Sequence, residues 1–410
     1  MASLMSECNE FRQAPKTIRT IEFMTDSVRR NVAILGSTGS VGVNAVEVCE
    51  ALAGINITGL TGRSNLALLS KQALQFPNAT IVAADSKLAS QFPFPAGLNG
   101  RLRTGLAAIE DLAASDQVDT VVAAIVGIAG LAGTVAAVRQ GKTVALANKE
   151  SLVVAGSILM PLAEQSGATV LPVDSEHSAL LQCLAGGRRS EVTRIVLTAS
   201  GGPFRDWTVD QMRDVTPAQA TSHPTWNMGQ KISVDSATMM NKALEIIEAA
   251  WLFGFPASQI GVMIHPQSIV HAMVEFQDGA VLAHLGPPDM RLPIQYALTW
   301  PERVCGPARR MNWSEDCPLE LYAPDESRFP ALQLGYEVVR RGGTCGAVLN
   351  AANESAVAAF LNGRLGFTEI VPACSEVLSH HQHIEQPDLD DLIQADYLAR
   401  EETEKWILNC

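Results

Sequence analysis

The stretch "LPVDSEHSALLQ", Leu171 to Gln182, sets Asp174 and Glu176 two residues apart, with Ser175 between them and His177 next. In extended backbone such side chains point to the same side. Two carboxylates brought to one point repel unless a cation or a shared proton lies between them. A metal site is the chemistry this spacing suggests; an exposed turn with two solvated acids is the plainer alternative. His177 and Cys183 read as packing residues or residues behind the ligands. Farther on, "TSHPTWNMGQKISVDSATMMNKALEIIEAAWLFGF", Thr221 to Phe255, reads as a loop through Lys231 and then a helix. Met240, Leu244, Ile247 and Trp251 form one apolar stripe of that helix. Asn241 and Glu245 share a face, Lys242 flanks it, and Ser236 lies near the helix start. An amide, an ammonium, a hydroxyl and helix N-terminal amides together suit a phosphate. Glu245 adds a third carboxylate to Asp174 and Glu176, and three hard oxygen ligands suit Mg²⁺ or Mn²⁺ rather than structural zinc. A surface pair between Lys242 and Glu245 is the competing reading.

The elements that must position these residues begin at "VRRNVAILGSTGSVGVNAVEVCEAL", Val28 to Leu52: an apolar strand, a glycine turn and an amphipathic helix. Gly36, Gly39 and Gly42 let the backbone turn tightly and approach a pyrophosphate at the helix N-terminus. Ser37, Thr38 and Ser40 add hydroxyls there. A bare strand–helix turn would look similar. The next strand, "INITGL", leads into Arg63 and Ser64, where an NAD site would carry an acid for the ribose hydroxyl. An arginine there favours the 2′-phosphate of NADP. "ATIVAAD", "VDTVVAAIVG", "KTVALAN" and "ATVLPVD" continue the alternation of strand and helix, so the first third is a Rossmann-like doubly wound parallel sheet. "NKES" places Lys149 at a strand's carboxyl end, in the ligand crevice, unless Asn148 or Ser151 merely caps a helix and Lys149 is solvated. Ser200-Gly201-Gly202 closes another apolar strand with amides suited to an anion, or forms an ordinary glycine hairpin.

The 410 residues are 47% hydrophobic and 18% charged, with a net charge of −13. That fits a multidomain globular chain and argues against nucleic acid as a partner. The eight cysteines form no C-x-x-C pair and read as free thiols. The uncharged run Thr120 to Val138 is Gly- and Ala-rich and reads as buried strand, turn and helix rather than a membrane span. Residues 1–23 fit neither a signal nor a transit peptide and read as a tag or disordered extension. "HHQH", His380 to His383, reads as a solvated loop; His265 and His271 read as structural.

"GSTGSVG", "LANKESLV", "PVDSEH", "SGGPFR", "HPTWNMGQKISVDSATMMNKALE", "HPQSIVH", "LGPPDMRLPI" and "LNAANE" together resemble the 1-deoxy-D-xylulose 5-phosphate reductoisomerase family from about residue 30 to the end. The resemblance implies rearrangement and NADPH-dependent reduction of 1-deoxy-D-xylulose 5-phosphate to 2-C-methyl-D-erythritol 4-phosphate, with Mg²⁺ or Mn²⁺, in the non-mevalonate isoprenoid pathway. It implies Asp174, Glu176 and Glu245 as metal ligands and Lys149 and Ser175 as substrate contacts. Ser200, Ser236, Asn241 and Lys242 match the phosphate pocket, and His223 and Trp226 a lid. Thr38, Gly39, Ser40, Val41, Gly62, Arg63, Ser64, Asn148, Glu150 and Gly229 match cofactor contacts. Arg63-Ser64 and Val41 depart from the family's common Lys-Asn and Ile, which can retune NADPH affinity. The resemblance further implies a homodimer, inhibition by fosmidomycin-type compounds, and a cytoplasmic or plastid setting without membrane attachment.

The expected organisation is an NADPH domain over 24–173, a catalytic α+β domain over 174–299, a linker over 300–326 and a C-terminal helical bundle over 327–410. Two rivals remain at this point. A semialdehyde dehydrogenase needs a cysteine beside a base in a strand-end loop, and none of the eight stands so. A non-catalytic NADP sensor has no use for three convergent carboxylates beside a phosphate pocket.

Overall fold

The apolar runs of the first third are strands covered on both faces by helices, as a parallel sheet requires. The computed structural model describes residues 29–98, 100–226 and 228–409, so the expectation for residues 1–23 lies outside the described residues. In chain order come β1 (Arg30–Leu35), α1 (Ser40–Ala51), β2 (Ile55–Gly62), α2 (Leu66–Gln75), β3 (Thr80–Ala83), β4 (Leu102–Thr104) and α3 (Ala107–Ala114). They are followed by β5 (Thr120–Ala123), α4 (Leu131–Arg139), β6 (Thr143–Leu146), α5 (Lys149–Ser166) and β7 (Thr169–Pro172). The seven strands run parallel in the order β4-β3-β2-β1-β5-β6-β7. Strand order reverses at β1, so the ligand crevice falls at the carboxyl ends of β1 and β5. The run from Thr120 to Val138 is β5, a glycine turn and part of α4; no helix among the described residues is long and apolar enough to cross a membrane.

The middle third comprises α6 (Ser175–Leu184), β8 (Val192–Ala199), α7 (Gln230–Ala237), α8 (Met240–Phe253), β9 (Ile260–Ile264), β10 (Val270–Phe276), β11 (Val281–Leu285) and α9 (Arg291–Thr299). Its sheet has the order β11-β10-β8-β9, with β8 and β9 parallel and the other pairs antiparallel. The α8 stripe behaves as its spacing predicts: Met240, Leu244 and Ile247 are buried and Trp251 half-buried. Met239 adopts φ +63°, a left-handed turn that a methionine takes only at a cost of about 1 kcal/mol or more. That turn joins α7 to α8. Lys231 departs from expectation: it lies in the first turn of α7, not in the preceding loop.

Residues 300–330 are largely irregular, although Tyr322 pairs with Ile264 through two backbone hydrogen bonds of 2.8 and 2.9 Å. Four helices end the chain: α10 (Ala331–Arg341), α11 (Cys345–Leu361), α12 (Ile370–His380) and α13 (Leu389–Leu408). α11 is buried along nearly its whole length, packed on α13, α12, α5 and α7. One apolar cluster runs from the first sheet through β8 and α8 into these helices, while α9 packs back on α1 and the opposite face of the first sheet.

Candidate active site

β7 and the N-terminus of α6 deliver the first two acids. Asp174 caps α6, its Oδ1 accepting from the Ser175 amide at 3.0 Å, and Glu176 lies in the helix's first turn. The two converge through this cap geometry and not through the extended backbone that the spacing alone suggests. Glu245 comes from the buried face of α8, one turn beyond Asn241. Oxygen atoms of Asp174, Glu176 and Glu245 all lie within 4.8 Å of one another. This all-oxygen donor set fits Mg²⁺ or Mn²⁺ and lacks the sulfur or imidazole that zinc prefers.

Two buried ammoniums stand among these acids. Asn148 does cap α5, accepting from the Ser151 amide at 2.9 Å. Lys149 is nevertheless buried, with Nζ 2.5 Å from Asp174 Oδ2, 2.8 Å from Asn241 Oδ1 and 3.2 Å from Glu245 Oε1. Lys242 Nζ reaches Glu176 Oε1 at 2.9 Å and also contacts Glu245 Oε2 and the Thr198 carbonyl. Its pairing with Glu245 exists, but in the interior, and the ammonium turns toward the acids.

The electrostatics follow from this crowding. Burial opposes charge on Lys149, but Asp174 and Glu245 outweigh it and hold the ammonium protonated. Burial likewise opposes charge on Asp174, and Lys149 then drives it well below the usual carboxylate range. Glu245 is pushed up to about 7, by burial first and by the charge of Glu176 second, with Lys242 and Lys149 pulling the other way. A divalent cation among the three acids would remove the conflict that raises Glu245.

These groups line a cavity of roughly 1100 Å³ including its open mouth. Ser40 and Val41 form one wall at the start of α1. Ser175, Ser200, Ser236, Asn241 and Lys242 form another, with Gly201 beside Ser200. His223, Trp226 and Gly229 close the rim. Nδ1 of His223 accepts from the amides of Thr225 and Trp226 at 3.1 and 2.9 Å, so Nε2 carries the proton and donates to Ser200 Oγ at 2.9 Å. Burial, helped by Arg205, lowers His223 to about 4 and keeps the ring neutral.

The remaining expected cofactor residues lie outside that wall. Thr38, Gly39, Gly62, Arg63 and Ser64 sit at the carboxyl ends of β1 and β2; Asn148 and Glu150 are buried at the start of α5. A Cβ on Gly42 would fall 2.1 Å from the Gly36 carbonyl oxygen, and Gly36 itself has φ +87°. The turn is therefore closed to side chains and brings the first amides of α1, which no side chain caps, to the crevice. That cradle fits a dinucleotide pyrophosphate.

Some of the site was not foreseen. His271, read as structural, lines the cavity with its ring centre 6.4 Å from that of Trp226, while Nε2 meets the Gly286 carbonyl at 3.1 Å. Met228, Met239 and Met290 supply apolar lining. Glu248, buried one turn past Glu245, lies 3.5 Å from His177 Nδ1; a charged residue inside an apolar stripe was the available signal. His177 itself is fully buried, its Nε2 2.9 Å from the Glu245 carbonyl, and Cys183 packs in the core. His265 is held by the Glu320 carbonyl and the Ile269 amide, consistent with its structural reading. His380, His381 and His383 lie outside the cavity.

Comparison with known proteins matches three family models: 1-deoxy-D-xylulose 5-phosphate reductoisomerase over residues 32–156, its C-terminal domain over 170–253, and the DXP reductoisomerase C-terminal domain over 285–402. The Rhodospirillum centenum 1-deoxy-D-xylulose 5-phosphate reductoisomerase is 51% identical over 373 residues, 90% of this chain and 92% of that protein. The Pelodictyon phaeoclathratiforme enzyme of the same name is 47% identical, covering 92% of this chain and 100% of its own length. Among solved structures, the Zymomonas mobilis reductoisomerase in complex with NADPH superposes with a TM-score of 0.85 at 42% identity, over 92% of this chain and 99% of that one. A DOX-P reductoisomerase in complex with NADPH, fosmidomycin and magnesium also gives 0.85, at 40% identity over 92% and 98% of the two chains. The chain belongs to the 1-deoxy-D-xylulose 5-phosphate reductoisomerase family.

Proposed function

We infer that this cavity converts 1-deoxy-D-xylulose 5-phosphate to 2-C-methyl-D-erythritol 4-phosphate, with NADPH and a divalent metal, as a step of non-mevalonate isoprenoid precursor biosynthesis. The observation that carries the reading is the meeting of three carboxylates (Glu245 buried, Asp174 and Glu176 half-buried), two buried lysines and the mouth of a dinucleotide-type glycine turn in one cavity. Asp174, Glu176 and Glu245 hold the ion, which when bound supplies positive charge to the hydroxy-ketone oxygens. NADPH supplies the hydride, its pyrophosphate on the first turn of α1 and its 2′-phosphate beside Arg63 and Ser64. Thr38, Gly39, Ser40, Val41 and Gly62 shape that cradle, and Asn148, Glu150 and Gly229 its inner end.

Lys149 is a fixed positive charge beside the reacting oxygens, kept protonated by its acids. Ser175 orients the substrate next to the ligands. Ser200, Ser236, Asn241 and Lys242 bind the phosphate, and that remote binding energy favours closure of the segment bearing His223 and Trp226. Trp226 then excludes water from the cavity. Phosphorus NMR and mass spectrometry of the reaction mixture test this directly. The methylerythritol phosphate should form with Mg²⁺ and NADPH and disappear with EDTA; unchanged substrate under both conditions contradicts the reading.

The domain limits 24–173, 174–299, 300–326 and 327–410 suit the two sheets, the irregular stretch and the four closing helices. The chain acts as a homodimer: edge strand β11 leaves Val281 and Leu282 exposed, as an interface strand does. Light scattering at twice 43.8 kDa supports this, and a single-chain mass sinks it. Fosmidomycin-type inhibitors are expected to compete for the cavity. A reducing cytoplasmic or plastid compartment suits the free buried thiols Cys49, Cys183, Cys345 and Cys374.

A further inference from the structure

A second ion network lies apart from the three acids, and two of its members, Lys231 and Asp235, have no role in the steps above. Lys231, in the first turn of α7, places Nζ 2.9 Å from Asp235 Oδ2 and 3.2 Å from Glu150 Oε1. The side chain of Lys231 is only 21% exposed, with Glu150 at 7% and Asp235 at 1%. The other oxygens are also engaged: Glu150 Oε2 accepts from Asn148 at 3.1 Å, and Asp235 Oδ1 from Asn353 of α11 at 2.8 Å. Burial opposes the charge of Lys231, but Asp235, Glu150 and the nearby Glu354 outweigh it. The network thus ties α5, α7 and α11 together at one point.

Buried ion pairs contribute little stability over apolar packing of the same volume, and their best-attested use is to fix register. The position of this one suits such a role. Lys231 stands two residues beyond Gly229 and five beyond Trp226, where the rim segment becomes helix. Glu150 follows Lys149 and is bonded to Asn148, at the inner end of the cofactor crevice. We propose that Lys231 is a positioning residue, whose bridge to Glu150 and Asp235 makes cofactor binding and sugar-phosphate binding favour one another. The proposal rests on the reading of Asn148, Glu150 and Gly229 as cofactor contacts. A cofactor held there steadies both ends of the bridge; the start of α7 is then fixed against α5, and His223 and Trp226 are presented over the substrate. Linkage makes the effect reciprocal.

Titration calorimetry of 1-deoxy-D-xylulose 5-phosphate into the full chain with Mg²⁺, with and without saturating NADP⁺, tests this without hydride transfer. In the unsubstituted protein NADP⁺ should tighten substrate binding about tenfold. Lys231→Met should reduce that gain to about twofold or less. Each ligand measured alone should keep its affinity within about threefold, and Lys231→Arg should restore the gain. A purely structural role would instead weaken both ligands alone, and that result overturns the proposal. So does a Lys231→Met chain that keeps the full gain, or an unsubstituted chain that binds NADP⁺ yet shows none. Failure of the unsubstituted chain to bind NADP⁺ would overturn the cofactor reading as well, which separates the two failures. If Lys231→Met does not fold, Lys231→Gln takes its place with the same expectations, and loss of folding in both marks Lys231 as a stability element and overturns the proposal.

Discussion

Glu245 stands between opposing demands: burial and Glu176 favour its protonated form, while Lys149 and Lys242 favour its charge. Glu245→Gln keeps the shape and removes the carboxylate charge, so with Glu245 as a proposed metal ligand turnover should fall by more than about a hundredfold with NADPH affinity little changed. Equal losses in both, measured by steady-state kinetics and NADPH titration, would remove it from the ligand set. His223 gives a prediction of opposite kind. Its neutral ring accepts two backbone amides, and its pKa falls from the ordinary 6.5 to about 4. Between those values the unfolded chain binds the proton and the folded chain does not, so the contribution is complete above pH 6.5 and lost as pH falls toward 4. Urea midpoints should therefore decline over that window, and less steeply in His223→Asn; equal slopes would contradict the assignment. At this scale the sequence was informative where residue types cluster, as with Asp174, Glu176, Lys149 and Glu245. It left Lys242 open between a pocket and a surface pair, because spacing on a helix does not say which way a flanking side chain turns. It gave His271, a single histidine in a strand, a structural reading although the residue lines the cavity.

The glycine turn between β1 and α1 is the element on which the cofactor reading stands. A methyl group at residue 42 would be driven into the Gly36 carbonyl, so Gly42→Ala should cost about 1–3 kcal/mol of stability and weaken NADPH binding. A thermal midpoint and NADPH affinity both unchanged would show that the turn has more room than its geometry gives it. Strands and the α8 stripe were legible because apolar runs and a helical period report burial directly. The start of α7 was not, because Gly229 occupies the N-cap and offers no side-chain bond to mark it. The cap at Asp174 was misread as extended backbone because a carboxylate that caps a helix and one that follows a strand look alike in sequence.

The whole molecule brings three structural layers to one cavity: the parallel sheet supplies the glycine turn and Lys149, the middle third supplies the acids and the wall of Ser200, Ser236, Asn241 and Lys242, and the C-terminal helices support α5, α7 and α8 from behind. Class and order of these layers were legible from the alternation of strand and helix and from the closing helical run. The contact of Asn353 with Asp235 was not, since the two residues are 118 apart and no local pattern encodes such a meeting. The proposed reaction requires one cavity to join NADPH, a divalent ion and the sugar phosphate. It is tested most directly by following the absorbance of reduced nicotinamide on adding 1-deoxy-D-xylulose 5-phosphate to the purified chain. The absorbance should fall with NADPH and Mg²⁺, far more slowly with NADH, and not at all with EDTA. A folded chain that binds NADPH and leaves it unoxidised under all three conditions would contradict the account.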